Sequence, residues 1–148
     1  MSSIWYLVDN NVLSRLSREQ RGSRFFRASC RLPSEVLYEA SELPDIADLR
    51  RLEYPVCDGV LERVREVMST VAPGDFKLID LYRNLGNADP ILVATALHAI
   101  DVAASSLFEE DWRIVSEDRA VRAKASEFGL RTLGFTEFLS MLPGTGSS

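Results

Sequence analysis

Two acidic residues stand directly after strand-like segments of the sequence. Residues 4–8 are five apolar residues in a row, too short to cross a membrane and typical of a strand covered on both faces, and Asp9 ends the run. Residues 112–116 form a second such segment, after which come Glu117 and Asp118. The carboxyl ends of parallel strands meet at one edge of an open α/β sheet, where ligands gather. We therefore expect Asp9 and Asp118 to lie close together.

Two further acids are expected to reach the same edge. In the helix predicted over residues 34–43, Glu39 flanks the apolar face, whereas its rival Glu35 projects away from that face. Asp89 precedes Pro90 at the start of a helix that is apolar on nearly all sides. A helix of that composition belongs in the centre of the fold, so its first residues are well placed to join the site.

Each of these acids also has a simpler explanation. Asp9, Asp89 and Asp118 are suited to capping helices or compensating their dipoles, and Glu39 alone would be an ordinary helix glutamate. Capping does not, however, require four acids at one sheet edge. Carboxylates crowded together repel unless a cation neutralises them, and a set of oxygen ligands without His or Cys favours Mg²⁺ or Mn²⁺ over zinc. Such an ion engages phosphate oxygens and activates water.

Composition narrows the class of protein. The chain has 148 residues, 46% apolar and 26% charged, which suits one globular domain over residues 1–142 with a flexible tail over 143–148. Its net charge of −5 argues against wholesale coating of nucleic acid, yet six arginines and only one acid lie between Arg15 and Arg31. This cluster suits phosphate binding, a solvated face or an acidic partner. Two cysteines, with no CxxC motif and no paired His, argue against both a zinc site and a disulfide scaffold.

Strand-like segments alternate with helical ones along the chain. The strands are predicted at residues 4–8, 30–32, 53–56, 112–116 and 130–133. This order predicts an α/β fold, a doubly wound and mostly parallel five-stranded sheet flanked by helices, with 53–56 at the edge because it contains a proline.

Three helices are expected to be capped by Ser34, Asp58 and Thr136. Residues 76–85 are weakly helical. His98 is expected to be a core residue rather than a catalyst.

Four segments of the chain together carry a family resemblance. Residues 7–13, 37–39, 88–96 and 114–119 match, in order, the motifs of PIN-domain proteins, the metal-dependent ribonucleases that include VapC-type toxins of bacterial toxin–antitoxin pairs. The segments span nearly the whole chain, while residues 44–86 follow no motif of that family. A Thr or Ser commonly follows the first acid in the family, and here the residue is Asn10.

The resemblance implies a role for each matching residue. Its acidic quartet, catalytic and metal-binding, falls on Asp9, Glu39, Asp89 and Asp118. Asn11 and Ser116 occupy the family's motif asparagine and hydroxyl positions on the substrate side. Arg15, Arg18 and Arg119, with Lys77, would hold the RNA backbone.

The function implied is a metal-dependent endoribonuclease that hydrolyses RNA phosphodiester bonds with Mg²⁺ or Mn²⁺. A toxin of a type II toxin–antitoxin system is expected, with an antitoxin as partner, a homodimer as a further option, a cytoplasmic location and no membrane association. The alternative is a catalytically inactive PIN-fold module that binds RNA or a protein partner. A phosphatase of the haloacid-dehalogenase type fits less well, because it requires a second Asp where Asn11 stands.

Overall fold

The structure, a computed structural model, describes residues 3–70, 88–106 and 109–142, apart from the side chains of residues 88 and 89. Five strands of this part form one sheet: β1 (Ser3–Val8), β2 (Cys30–Pro33), β3 (Glu53–Tyr54), β4 (Glu110–Val115) and β5 (Thr132–Leu133). Their order is β3-β2-β1-β4-β5, and all the pairings are parallel. The predicted fold class is therefore confirmed, with the proline-flanked β3 at an edge.

Helices connect these strands. They are α1 (Asn10–Leu13), α2 (Arg18–Arg21), α3 (Arg24–Ser29), α4 (Ser34–Glu39), α5 (Ile46–Leu49), α6 (Asp58–Ser69), α7 (Ala88–Ala104), α8 (Arg119–Glu127) and α9 (Phe135–Leu139), with a 3-10 turn at Arg50–Leu52. None of the helices in the described residues is long and apolar enough to cross a membrane. The weakly helical prediction at 76–85 and the flexible tail at 143–148 fall outside the described residues.

The strand order reverses direction between β1 and β4. The chain moves outward from β1 through β2 to β3, then returns across the sheet to β4 and moves the opposite way to β5. Right-handed crossovers that travel in opposite directions cover opposite faces of a sheet. Accordingly, α1, α3, α4, α5 and α9 pack against one face, and α6, α7 and α8 pack against the other.

The alternation of side chains along β1 divides the interior into two cores. Tyr6 and Val8 enter the core that contains α1, α3, α4, α5 and α9, whereas Leu7 between them enters the core of α6 to α8. In β4, Ile114 and Val115 divide in the same way. Both central strands are therefore buried on both faces, as the continuous apolar run at 4–8 predicts.

Helix α7 is the centre of the second core. All residues from Ile91 to Leu97 are buried, which confirms the prediction of a central helix. His98 follows them, and its Nδ1 atom lies 2.8 Å from the Tyr54 hydroxyl. The Tyr54 ring also packs edge-on against Trp112. This histidine is thus held by the fold, as expected.

Several predicted helix caps are wrong. Helix α4 begins at Ser34, directly after Pro33, and ends at Glu39. The Ser34 hydroxyl does not cap this helix, because it is bonded to Glu53 at 2.7 Å. Helix α7 begins at Ala88, so Asp89 lies in its first turn rather than before it.

The caps at the other two helices shift by one or two residues. Asp58 is the first residue of α6, with Cys57 as the flanking residue. The last helix begins at Phe135 rather than after Thr136, because the Glu137 carboxylate accepts the backbone N–H of Gly134 at 3.0 Å and fixes the helix start there.

The arginine-rich segment forms the two short helices α2 and α3, and its Arg21 makes a buried ion pair with Asp45. Arg21 is 5% exposed and Asp45 is 6% exposed. The Arg21 Nε and Nη2 atoms donate to the two Asp45 oxygens at 2.9 and 2.8 Å, and Nη1 donates to the carbonyl of Leu16. These bonds hold the pKa of Asp45 below its usual range. The pair joins α2 to the residue before α5.

Breaking this pair should destabilise the protein strongly. Arg21→Ala leaves the Asp45 carboxylate buried without its partner, so we expect the free energy of unfolding to fall by about 3 kcal/mol. Urea unfolding followed by circular dichroism measures this change. The control is Arg24→Ala, which removes an exposed arginine three residues away. Equal losses in the two variants would show that the pair does not stabilise the fold.

Candidate active site

The site begins where β1 and β4 end side by side. Val8 is paired with Val115, and the backbone N–H of Asp9 continues the ladder by donating to the Val115 carbonyl at 2.9 Å. Asp9 and Ser116 are therefore the first residues beyond the paired strands. This is also the point where the strand order reverses, the place at which open α/β sheets form their ligand crevice.

Asp9 is buried with its carboxylate hydrogen-bonded. It is 4% exposed and accepts from the Asn10 backbone N–H at 2.8 Å, the Ser116 hydroxyl at 2.8 Å and the Asn11 amide at 3.2 Å. Burial nevertheless raises its pKa, and the nearby charge of Asp118 adds to that rise, whereas the Ser116 and Asn10 bonds oppose it. Asp9 thus precedes α1 and also occupies a position where burial disfavours its charged form.

Ser116 and Asn11 join the two strand ends. The Ser116 hydroxyl, fully buried, donates to Asp9 and accepts the backbone N–H of Asp118 at 3.0 Å. The Asn11 side-chain oxygen accepts the backbone N–H of Glu117 at 3.1 Å. These bonds fix the turn after β4 against the turn after β1. The two residues act here on Asp9 and the backbone, which positions the acids.

Asp118 is the N-cap of α8. Its Oδ1 atom accepts the backbone N–H groups of Ala120 at 2.8 Å and Val121 at 3.2 Å, as the capping explanation requires. No hydrogen bond from the described residues reaches its Oδ2 atom. The cap and a ligand role are therefore compatible, because each uses a different oxygen.

Glu39 is the acid of α4 that faces inward. Its Oε1 atom is buried and has no hydrogen-bond partner in the described part of the chain, whereas Glu42 is exposed. Burial raises the pKa of Glu39 to about 7, and the charges of Asp9 and then Glu35 contribute to the rise. The helix-wheel choice of Glu39 over its neighbours agrees with this burial. An inward carboxylate without a partner is unusual and needs an explanation.

The fourth acid, Asp89, lies in the first turn of α7, and its side chain is outside the described part. Helices α4 and α7 contact each other, so the elements carrying Glu39 and Asp89 are neighbours. Among the described side chains alone, no three His, Cys, Asp or Glu residues are arranged so that they could hold a metal ion. A metal site here therefore depends on Asp89.

The expected RNA-binding arginines separate into two groups. The Arg15 guanidinium lies 3.4 Å from the Glu117 carboxylate and stacks on the Phe135 ring at 4.0 Å, and Arg119 is exposed beside Asp118 at the start of α8. Arg18 instead lines a separate cavity with Arg21. Lys77 is outside the described residues. Of these residues, Arg15 thus contacts Glu117 and Arg119 adjoins Asp118 in sequence, whereas Arg18 lies apart.

Sequence reasoning missed two features next to the acids. Tyr38 precedes Glu39 and is 76% exposed, the most exposed of the large hydrophobic side chains in the described residues. Its position off the apolar face of α4 was the available signal. The second is the backbone N–H of Phe135, which donates to the Glu117 carboxylate at 3.1 Å. Nothing in the sequence predicts this contact.

No known family model matches this chain, and no curated protein matches it in sequence.

The raised pKa of Glu39 predicts a pH-dependent stability. Between about pH 4.5 and pH 7 the folded chain binds more protons at this residue than the unfolded chain, so its stability falls as the pH rises. Glu39→Gln removes that loss. We expect the free energy of unfolding of this variant, relative to that of the wild type, to rise by about 2 kcal/mol between pH 4 and pH 8. Urea unfolding without divalent ions measures this change. The exposed Glu42→Gln is the matched control, and parallel stability curves for all three proteins would contradict the prediction.

Proposed function

We propose that the chain is a metal-dependent endoribonuclease of the PIN type. The observation that carries this proposal is the inward carboxylate of Glu39, which has a buried oxygen without a described partner and a pKa raised by burial and by the charge of Asp9. A folded chain retains such a group at the ligand edge of its sheet for binding or catalysis more readily than for stability.

The donors available suit a hard divalent cation. Asp9, Glu39, Asp89 and Asp118 offer only carboxylate oxygens, which favours Mg²⁺ or Mn²⁺. Burial disfavours the charged forms of Asp9 and Glu39, and so do the charge of Asp118 near Asp9 and the charge of Asp9 near Glu39. A cation would reverse that preference. The Oδ2 atom of Asp118 is open to a ligand while Oδ1 caps α8. Asp89 would complete the set from the first turn of α7.

When bound, the ion would polarise the scissile phosphate and lower the pKa of a water molecule. Glu39 would accept a proton from the attacking water as the new bond to phosphorus forms and the bond to the leaving ribose oxygen breaks. Ser116 and Asn11 would keep Asp9 in position through their hydrogen bonds. Each of these roles rests on contacts or charges next to the strand ends.

Basic residues near the strand ends support a polyanionic substrate. Arg15, which is paired with Glu117, and Arg119, which follows Asp118 in sequence, are exposed and would contact flanking phosphates. These charges suit RNA, the substrate that the family resemblance implies. A toxin role, an antitoxin partner and a homodimer rest on the family resemblance alone.

A second candidate is a module that binds RNA or a protein partner without cleavage. It is favoured by the finding that the described side chains alone provide no three-ligand metal group. The two functions differ in whether the acidic cluster needs a cation, which can be measured directly.

The catalytic proposal predicts that Asp9→Asn abolishes RNA cleavage. The substitution keeps the size of the side chain but removes its charge, so we expect the rate of Mg²⁺- or Mn²⁺-dependent cleavage to fall by at least about a hundredfold. Cleavage of a labelled single-stranded RNA measures this, and circular dichroism checks that the fold is intact. Glu62→Gln, an exposed acid on α6, is the control and should retain full activity. Undiminished cleavage by the Asp9→Asn protein would refute the proposed site.

Metal binding is tested separately from cleavage. Millimolar Mn²⁺ should raise the midpoint of thermal unfolding of the wild type, because an ion that binds only the folded state stabilises it by mass action. Glu39→Gln and Asp118→Asn should each reduce that shift, and Glu42→Gln should not. If the unfolding midpoint of the wild type is the same with and without the ion, the non-catalytic module becomes the better explanation.

A further inference from the structure

A cavity of about 410 Å³ lies among the short helices on the first face of the sheet. Its walls come from α2, α3, α5 and the 3-10 turn, and none of its lining residues is one of the four acids. The volume lies in the range of sites for small organic ligands. The cavity is therefore distinct from the candidate active site and open to a separate explanation.

The lining of this cavity is positively charged. Four arginines face it, namely Arg18, Arg21, Arg27 and Arg51, against the two carboxylates of Asp45 and Asp48. Two positive charges thus remain, in a chain whose net charge is −5. Such a local excess, held against the overall charge of the protein, favours an anionic occupant.

One of the four arginines is structural, and the other three have free guanidinium groups. Arg21 is fully occupied by Asp45 and the Leu16 carbonyl. Within the described residues, the guanidinium groups of Arg18, Arg27 and Arg51 make no hydrogen bond or ion pair, and all three residues are exposed. Three planar guanidinium groups without partners in the described residues, placed around one cavity, can bind a phosphate by paired hydrogen bonds.

The buried Arg21–Asp45 pair gives the cavity a fixed wall. Both residues line it while 5% and 6% exposed, and their two short hydrogen bonds tie α2 to the start of α5. The wall is thus formed before any ligand arrives, which lowers the ordering cost of binding. Leu49 and Leu52 also line the cavity, and because they are only 2% and 7% exposed they offer a ligand a small apolar contact.

From these features we propose that the cavity binds a small organic phosphate with a flat apolar part, the chemical class of the nucleoside monophosphates. The free guanidinium groups hold the phosphate, and the flat part stacks on an arginine plane. The proposal goes beyond the endonuclease function, since the site shares no lining residue with the acids.

Titration calorimetry of the full chain with adenosine 5′-monophosphate tests the proposal. We expect a single site, with adenosine and inorganic phosphate each binding at least tenfold more weakly, because each lacks one half of the recognised chemistry. Arg18→Ala and Arg51→Ala should each weaken nucleotide binding at least tenfold, the equivalent of about 1.4 kcal/mol for one lost charge-assisted contact. Arg131→Ala, an exposed arginine outside the cavity, is the matched control and should bind normally.

The same measurement separates this site from the active site. Asp9→Asn should leave nucleotide binding unchanged even if it abolishes RNA cleavage, so either proposal can fail while the other stands. The cavity proposal is overturned if the nucleotide does not bind, if inorganic phosphate binds as tightly as the nucleotide, or if Arg18→Ala and Arg51→Ala bind like the wild type. Binding only of a longer single-stranded RNA, with none of the mononucleotide, would likewise overturn it.

Discussion

The parallel pairing of β1 with β4 is the constraint on which the candidate site depends. Because Val8 lies opposite Val115, the first residues beyond the strands, Asp9 and Ser116, must lie beside each other. The Ser116 hydroxyl then replaces part of the water that burial removes from the Asp9 carboxylate. Backbone pairing, rather than a mobile loop, sets the positions of these groups, which is the arrangement that precise chemistry requires.

Three buried or partly buried acids in this protein show two opposite solutions to the cost of burying a charge. Asp45 is matched with the Arg21 guanidinium, which lowers its pKa and makes the pair part of the scaffold. Glu39 and Asp9 have no such cation among the described residues, and the pKa of each is raised. A protein that can neutralise one buried carboxylate so completely has left two others partly uncompensated at the ligand edge of its sheet. This contrast supports the proposal that Asp9 and Glu39 serve binding or catalysis.

Much of this fold could be predicted from the sequence, since continuous apolar runs between helical segments specify a parallel sheet covered on both faces. The inward position of Glu39 followed from helical periodicity alone. The helix caps failed because tertiary contacts compete for the capping groups: the Ser34 hydroxyl is bonded to Glu53 instead. The roles of the individual arginines could not be predicted either, because nothing in the local sequence distinguishes the buried Arg21 from the exposed Arg18. Its partner, Asp45, is 24 residues away and only the packing of α2 against the start of α5 selects it.

The alternation along β1 also determines which sequence changes this protein can accept. Tyr6 and Val8 belong to one core and Leu7 to the other, and the strand leads directly into Asp9. Loss or gain of a single residue within β1 would exchange the two sets of side chains between the cores. It would also turn the Asp9 carboxylate away from Ser116. Length variation should therefore be confined to the connections between elements, while β1 evolves by substitution alone.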